Sequence, residues 1–263
     1  MVTLAGTANA QGGAAGKLPS FDGPYVFPSD GRSFPWGLAA GDINGDGTPD
    51  VAVAHTETNL VLGTTHTGQP GIVRIWQNTG LWDTDPGNGL VLPIDLQIAP
   101  NASPSKVALV DLDIDGDLDL VVTSGLAYMP DTNPTLRGVY TVRNDPTGFN
   151  TQLGVGKFYY PGGVRSLVVA DFNNDGLPDI AAGTDPWEDS NQVGAVHFWE
   201  NDPSNPGLFI DRGQIGTGHT GPYPAAGVVA GDFNRIAIGG VKLDVVSGNL
   251  VNDDISLLTN VSS

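Results

Sequence analysis

The residues of this 263-residue chain that suit a specific chemistry are concentrated in a nine-residue pattern that occurs three times. The pattern reads Asp-x-Asp/Asn-x-Asp-Gly-x-x-Asp, and its copies occupy residues 42–50, 111–119 and 171–179. Side-chain oxygens at positions 1, 3 and 5 converge only where the chain curls tightly, and the glycine at position 6 permits that turn. Position 7 then offers its backbone carbonyl, and the aspartate at position 9 closes the cage. An all-oxygen site of this kind favours calcium over magnesium.

Five positions of each loop are therefore the candidate metal ligands. They are Asp42, Asn44, Asp46, Thr48 and Asp50 in the first loop, Asp111, Asp113, Asp115, Asp117 and Asp119 in the second, and Asp171, Asn173, Asp175, Leu177 and Asp179 in the third. The alternative is an acidic surface turn that binds no metal. Three copies in one register, each between two apolar runs, favour the metal, and we predict three calcium ions.

The end of each loop separates this pattern from the EF-hand. An EF-hand takes its last ligand from a glutamate at position 12, on a helix. Here position 9 runs into short apolar segments at 51–54, 120–123 and 180–183, which are typical of strands. A fourth copy begins at Asp232 and then fails, because residues 235–240 replace the carboxylate and the glycine. We expect no calcium at that place.

The loops belong to a repeat of about sixty residues, since their first aspartates stand at positions 42, 111, 171 and 232. A small-apolar strand precedes each loop, an apolar strand follows it, and a third strand ends in asparagine. The third strands are predicted at 72–78, 139–144, 195–201 and 255–260, and fourth strands near 90–98, 156–160 and 209–215. The third strands share a register in which Trp76, Val142, Trp199 and Leu258 are the predicted core anchors.

Four short antiparallel strands in each unit, repeated radially, predict an all-β protein, namely a β-propeller of four four-stranded blades. Residues 1–17 are predicted to form a Gly/Ala-rich tail and residues 18–263 a single propeller domain. The units span roughly 33–98, 104–160, 164–216 and 222–262. We expect a strand at 20–28 to close the ring against the fourth unit.

The sequence of small-apolar strand, aspartate loop and apolar strand resembles the FG-GAP and VCBS repeats over roughly residues 33–262. Similar repeats occur in the propellers of integrin α-subunits, in some fungal lectins and in many bacterial secreted proteins. The resemblance implies a propeller with calcium in its loops. That family often has seven blades, whereas this chain has four at most.

Composition narrows the function. The formal net charge of −18 argues against nucleic acid and anionic membranes as partners. The chain has no cysteine, no apolar run of membrane-spanning length and no complete signal peptide. Its four histidines are scattered without metal-ligand spacing, and no nucleophile–base set, phosphate-binding loop or dinucleotide fingerprint is visible. We therefore predict no catalytic and no cofactor-binding residue apart from the calcium ligands.

Three functions compete at this point. The first is an extracellular or cell-surface binding or adhesion module, with glycans or protein partners at a cell surface as candidate ligands. The second is a structural subunit of a surface assembly joined through the N-terminal tail. The third, expected least, is a secreted lyase or hydrolase. The candidate ligand-binding residues, chosen because an aromatic ring stacks on a sugar, are Tyr128, Trp187 and Trp82.

Overall fold

The computed structural model describes most of the repeat region in segments. These are residues 35–56, 71–81, 93–99, 102–125, 137–146, 148–150, 158–159, 163–184, 194–218, 225–233, 242–249 and 253–261. Within these segments the regular structure consists of strands alone. They contain no helix long and apolar enough to cross a membrane.

The strands form four antiparallel sheets, each of which follows the chain from strand to strand. The first contains β1 (Pro35–Gly41), β2 (Asp50–His55), β3 (Ile72–Trp76) and β4 (Ile94–Leu96). The second contains β5 (Pro104–Val110), β6 (Asp119–Ser124), β7 (Gly138–Asp145), β8 (Gly148–Asn150) and β9 (Phe158–Tyr159). The third contains β10 (Val164–Ala170), β11 (Asp179–Thr184), β12 (Ala195–Asn201) and β13 (Phe209–Gly216). The fourth contains β14 (Ala225–Gly231), β15 (Asp244–Asn249) and β16 (Asp254–Leu258).

This arrangement confirms the predicted all-β propeller with four blades. Consecutive blades pack through their first two strands, as β2 on β5, β6 on β10 and β11 on β14. The predicted closing strand at 20–28 and the tail at 1–17 lie outside the described residues. So does any fourth strand of the last blade.

The outer edge of the second blade differs in part from the prediction. A strand was expected at 156–160, and β9 does pair with β7 there. The same edge of β7 is shared with β8, in which Phe149 lies opposite Asn144. The chain turns back directly after β7 to form β8, because Gly148 adopts a left-handed φ of 101°, which a residue with a side chain rarely adopts. The predicted strand is therefore only the second part of this edge.

The core lies between blades, because side chains alternate between the two faces of each sheet. We call the face toward the preceding blade the leading face and the face toward the next blade the trailing face. Between the first two blades, Ala52 and Ile75 of one trailing face pack with Val107 and Val122 of the next leading face. Two further clusters of the same kind join the second blade to the third and the third to the fourth.

The first strands of neighbouring blades approach one another closely, as the small residues in them suggested. A Cβ atom added to Gly37 of β1 would lie 2.7 Å from the carbonyl oxygen of Ser105 in β5. Larger side chains at this point would push the blades apart.

The predicted register of the third strands is confirmed, since Trp76, Val142, Trp199 and Leu258 each lie opposite the residue that follows the loop. Val142 and Trp199 are buried. Trp76 and Leu258 are half-buried. Trp76 lies on the leading face of the first blade, and no blade precedes it among the described residues. The predicted anchor role is thus met fully in the second and third blades.

Candidate metal centres

The three aspartate loops share one backbone conformation. The glycines at position 6, Gly47, Gly116 and Gly176, have φ angles of 87°, 101° and 90°. Position 4 is also left-handed, at Gly45, Ile114 and Asn174. Two left-handed residues within three positions curl the loop, as the glycine at position 6 predicted. The left-handed isoleucine was not foreseen, because β-branched residues rarely adopt this conformation.

The aspartate at position 1 fixes the curl by accepting two backbone hydrogen bonds. Asp111 accepts them through its two Oδ atoms from the N–H groups of Asp115 (3.1 Å) and Gly116 (3.0 Å). Asp42 and Asp171 hold the equivalent residues in the other two loops. These bonds bring the position 5 carboxylate back beside position 1.

The second loop brings the carboxylates of positions 1, 3 and 5 together. One oxygen each of Asp111, Asp113 and Asp115 lies within 4.8 Å of the others, which is the spacing of a shared cation site. Arg143 of β7 forms an ion pair with Asp113. The donor set consists of oxygens alone, so it fits calcium.

The first and third loops carry an asparagine at position 3 in place of that third acid. Asn44 donates through Nδ2 to Asp46 over 3.0 Å, and Asn173 donates to Asp175 over the same distance. These two loops therefore hold one fewer negative charge among positions 1, 3 and 5. In the first loop, hydrogen bonds from the hydroxyl and the N–H group of Thr48 and from Asn44 lower the pKa of Asp46.

The aspartate at position 9 is buried in all three loops and has a role that the sequence analysis missed. Asp119 accepts hydrogen bonds from the N–H groups of Leu112 (2.9 Å) and Asn144 (2.7 Å). Asp50 and Asp179 accept the same pair of bonds in their blades. This side chain therefore ties the start of the loop to the end of the third strand. Its remaining lone pairs leave room for the predicted role in the cage.

Burial, and then the nearby loop carboxylates, raise the pKa of two of these aspartates. The pKa of Asp119 rises to about 6 because its carboxyl is desolvated and because Asp115 and Asp111 repel its charge. The pKa of Asp179 rises to about 6 for the same reasons, with Asp175 and Asp171 as the neighbours. A cation in the loop would offset this repulsion.

The fourth blade separates the structural role of position 9 from the metal role. Asp244 accepts hydrogen bonds from the N–H groups of Phe233 (3.0 Å) and Asn260 (2.7 Å), as its counterparts do. The residues that replace the metal positions, 234–240, lie outside the described residues. The aspartate is thus used for backbone hydrogen bonding even where the metal pattern is lost.

The asparagine that ends each third strand joins neighbouring blades. Asn144, Asn201 and Asn260 donate through Nδ2 to the carbonyl oxygen of the position 2 residue in the preceding blade's loop, over 2.9, 2.8 and 2.7 Å. That position 2 residue donates its own N–H to the position 9 aspartate. The result is a hydrogen-bonded chain from loop to loop, which we call the asparagine relay. The recurrence of the asparagine was visible in the sequence, but its partner was not.

The residues considered for ligand binding and the histidines are described only in part. Tyr128, Trp187 and Trp82 lie outside the described residues. His197 stacks on Trp199 with ring centroids 4.2 Å apart and contacts Asp211 over 2.6 Å. Both contacts lie within the third blade, because Trp199 is on β12 and Asp211 is on β13.

An apolar cavity of about 330 Å³ opens between the third and fourth blades. Phe198, Ile215 and Leu258 are among the residues that line it, and Glu200 pairs there with Arg212 over 2.7 Å. No histidine is among its described lining residues. The cavity therefore offers apolar surface and one ion pair.

Taken together, sheets that repeat around an axis and an aspartate loop between the first two strands define a repeat-built β-propeller. The family model for the FG-GAP repeat matches residues 34–69 and 163–199, in the first and third units, so the chain carries FG-GAP repeats as the resemblance implied. The second unit has the same strand order and loop hydrogen bonds, and the structure extends the repeat to it. A sequence comparison with characterised proteins finds no significant match.

Proposed function

We propose that this chain is a calcium-stabilised propeller module that acts outside the cell or at its surface in binding or adhesion. The observation that carries the proposal is the loop geometry. The position 1 aspartate accepts the same two backbone hydrogen bonds in all three loops, and in the second loop the carboxylate oxygens of positions 1, 3 and 5 cluster. FG-GAP repeats are typical of extracellular and surface proteins, which supports the location.

Calcium would act on stability because each loop lies at a junction between blades. The position 9 aspartate and the asparagine relay connect the loop to its own third strand and to the next blade. A cation that neutralises Asp111, Asp113 and Asp115 would hold this junction together. Open calcium loops of this kind bind calcium at concentrations found outside cells, where calcium is millimolar.

We assign ligand binding to the connections between the second and third strands of the units, which carry Tyr128 and Trp187. We also include Trp82, which follows the third strand of the first unit in the sequence. An aromatic ring beside amide and carboxylate groups stacks on a sugar and hydrogen-bonds its hydroxyls. The acidic surface favours neutral or cationic ligands over anionic ones. Glycans are therefore the ligand class we propose.

The calcium part is tested by titrating the metal-free protein with calcium in a calorimeter. Asp46→Ala, Asp115→Ala and Asp175→Ala each remove a position 5 ligand, and each is expected to lower the stoichiometry by one. Asp202→Ala is the matched control, since Asp202 is an aspartate outside the loops whose side-chain hydrogen bonds stay within its own turn. A stoichiometry that falls equally in the control, or not at all in the loop variants, would refute the assignment.

The ligand part is tested on a panel of immobilised neutral glycans, with calcium and with chelator. We expect retention that needs calcium and that Trp187→Ala weakens. Leu208→Ala, at an exposed apolar residue in the turn between β12 and β13, is the control and should bind as the wild type does. Equal binding by both variants would remove Trp187 from the site, and no retention on any glycan would refute this ligand class.

A further inference from the structure

The second loop has one more acid among positions 1, 3 and 5 than the other two loops have, and an arginine lies beside that acid. Asp113 stands at position 3, where the first and third loops have Asn44 and Asn173. The side chain of Arg143, on β7, forms an ion pair with Asp113. Three carboxylates and one guanidinium give a net charge of −2, and the two carboxylates in each of the other loops give the same value. The arginine therefore cancels the extra acid.

Asp113 is buried, so its charge needs a partner. Its side chain is 5% exposed, and both of its carboxylate oxygens are buried. Within the described part of the chain, neither oxygen accepts a backbone hydrogen bond, whereas Asp111 accepts two. A buried carboxylate that loses its partner destabilises the fold strongly, because the charge is left uncompensated. Arg143 supplies the compensating charge from a side chain that is 43% exposed.

The side chain at position 3 has different partners in the second loop than in the other two. In the first and third loops, the N–H group of position 5 donates to the asparagine at position 3, over 3.0 and 2.9 Å. In the second loop Asp113 pairs with Arg143 instead. One oxygen of Asp113 nevertheless lies within 4.8 Å of oxygens of Asp111 and Asp115. The same carboxylate is thus shared between the arginine and the candidate calcium cage.

The third blade covers this ion pair with the turn between β12 and β13. A Cβ atom added to Gly207 in that turn would lie 3.2 Å from the Cβ atom of Asp113 and 3.8 Å from Nε of Arg143. The N–H group of Gly207 donates to Asn201 over 2.9 Å, and Asn201 donates to the carbonyl of Leu112 in the second loop. The ion pair therefore lies at the junction of two blades, under a turn that the asparagine relay holds in place.

We infer that Arg143 is a built-in counter-cation of the second loop, which neutralises Asp113 in the absence of calcium and competes with calcium for its carboxylate. At the same register position the first and third blades have Gln77 and Glu200, so of the three loops only the one with the extra acid has the arginine. The second loop should keep its junction intact at low calcium, and it should bind calcium more weakly than it would without Arg143. The competition rests on the calcium sites proposed above, whereas the compensation of Asp113 does not.

The compensation is tested by thermal unfolding of the full chain in chelator. Arg143→Gln should lower the melting temperature by about 5 °C or more, because it leaves a buried carboxylate without its partner. The double variant Asp113→Asn/Arg143→Gln restores the asparagine of the other loops and should recover most of this loss. Lys106→Gln removes the same charge from β5, toward the end of the strand away from the loop, and should melt as the wild type does.

Two results would overturn the compensation. One is an unchanged melting temperature for Arg143→Gln, and the other is a double variant that loses as much as the single one. If Arg143→Gln does not fold in chelator, as judged by circular dichroism, the double variant decides alone: it should fold, and its failure to fold would contradict the inference.

The competition is tested by calcium calorimetry at low ionic strength, where charges act most strongly. A background chain with Asp46→Ala and Asp175→Ala lacks the position 5 ligands of the first and third loops, so the second loop alone should bind. In this background Arg143→Gln should bind calcium several-fold more tightly, and Lys106→Gln should leave the affinity unchanged. An unchanged or weaker affinity in Arg143→Gln would overturn the competition. A wild type that takes up no calcium would refute the proposed function and the competition together, while the melts in chelator would still decide the pairing of Arg143 with Asp113.

Discussion

Replacing Asn201 by alanine is expected to destabilise the protein because the side chain is buried and makes three hydrogen bonds. It donates to the carbonyls of Leu112 (2.8 Å) and Pro178 (3.1 Å), and it accepts from the N–H of Gly207 (2.9 Å). At about 1 kcal/mol for each bond, the free energy of unfolding should fall by about 3 kcal/mol. The partner groups left without a bond in the interior would add to this loss.

The assay is thermal unfolding in excess calcium, so that the metal sites stay filled and only the relay changes. A loss of this size corresponds to a fall of roughly 6 °C or more in melting temperature. The control is Asn205→Ala, whose side chain is exposed and bonds only to Asp202 of the same turn. Its expected change lies within about 0.5 kcal/mol. Equal losses in the two variants would refute the idea that the relay holds the blades together.

Three further predictions follow from the loops. Chelation should lower the melting temperature sharply. Each site adds about 2.7 kcal/mol to the free energy of unfolding at a hundredfold excess of calcium over its Kd, or about 8 kcal/mol for three sites. An unchanged melting temperature would contradict this prediction. Ile114→Asn should raise the free energy of unfolding, measured by chemical denaturation, by up to about 1 kcal/mol. The reason is that asparagine tolerates the left-handed conformation, which Asn174 already adopts at the same loop position. A decrease in the free energy of unfolding would contradict this prediction. Without calcium, the free energy of unfolding should fall as the pH rises from about 4 to 6. The reason is that the folded state, with Asp119 and Asp179 at pKa values of about 6, binds more protons in this range than the unfolded chain does. Thermal melts of dialysed protein should show this fall, and excess calcium should abolish it.

The strand pattern was predictable because it depends on local signals. Apolar alternation and the fixed spacing from the loop to the next strand placed β2, β6 and β11 without reference to the rest of the fold. The glycine at position 6 likewise identified the turn, because only its backbone conformation was needed.

The contacts between elements were not predictable from the same signals. The bond from Asn144 to the carbonyl of Ile43 joins residues of different blades, and the ion pair of Arg143 with Asp113 depends on how β7 passes the loop. Every residue has a backbone carbonyl, so the sequence does not indicate which carbonyl accepts the hydrogen bond from the asparagine. The left-handed conformation of Ile114 is one that isoleucine rarely adopts, so the residue type did not predict it. The hydrogen bonds of the loop around Ile114 determine this conformation.

We propose that the three loops are calcium sites and that the fourth is not. The most direct measurement is the metal content of the protein after equilibrium dialysis against excess calcium, with calcium and protein both determined in the dialysed sample. We predict three calcium ions for each chain. A count of none would show that the loops are acidic turns, and a count of four would show that the interrupted fourth loop also binds the metal.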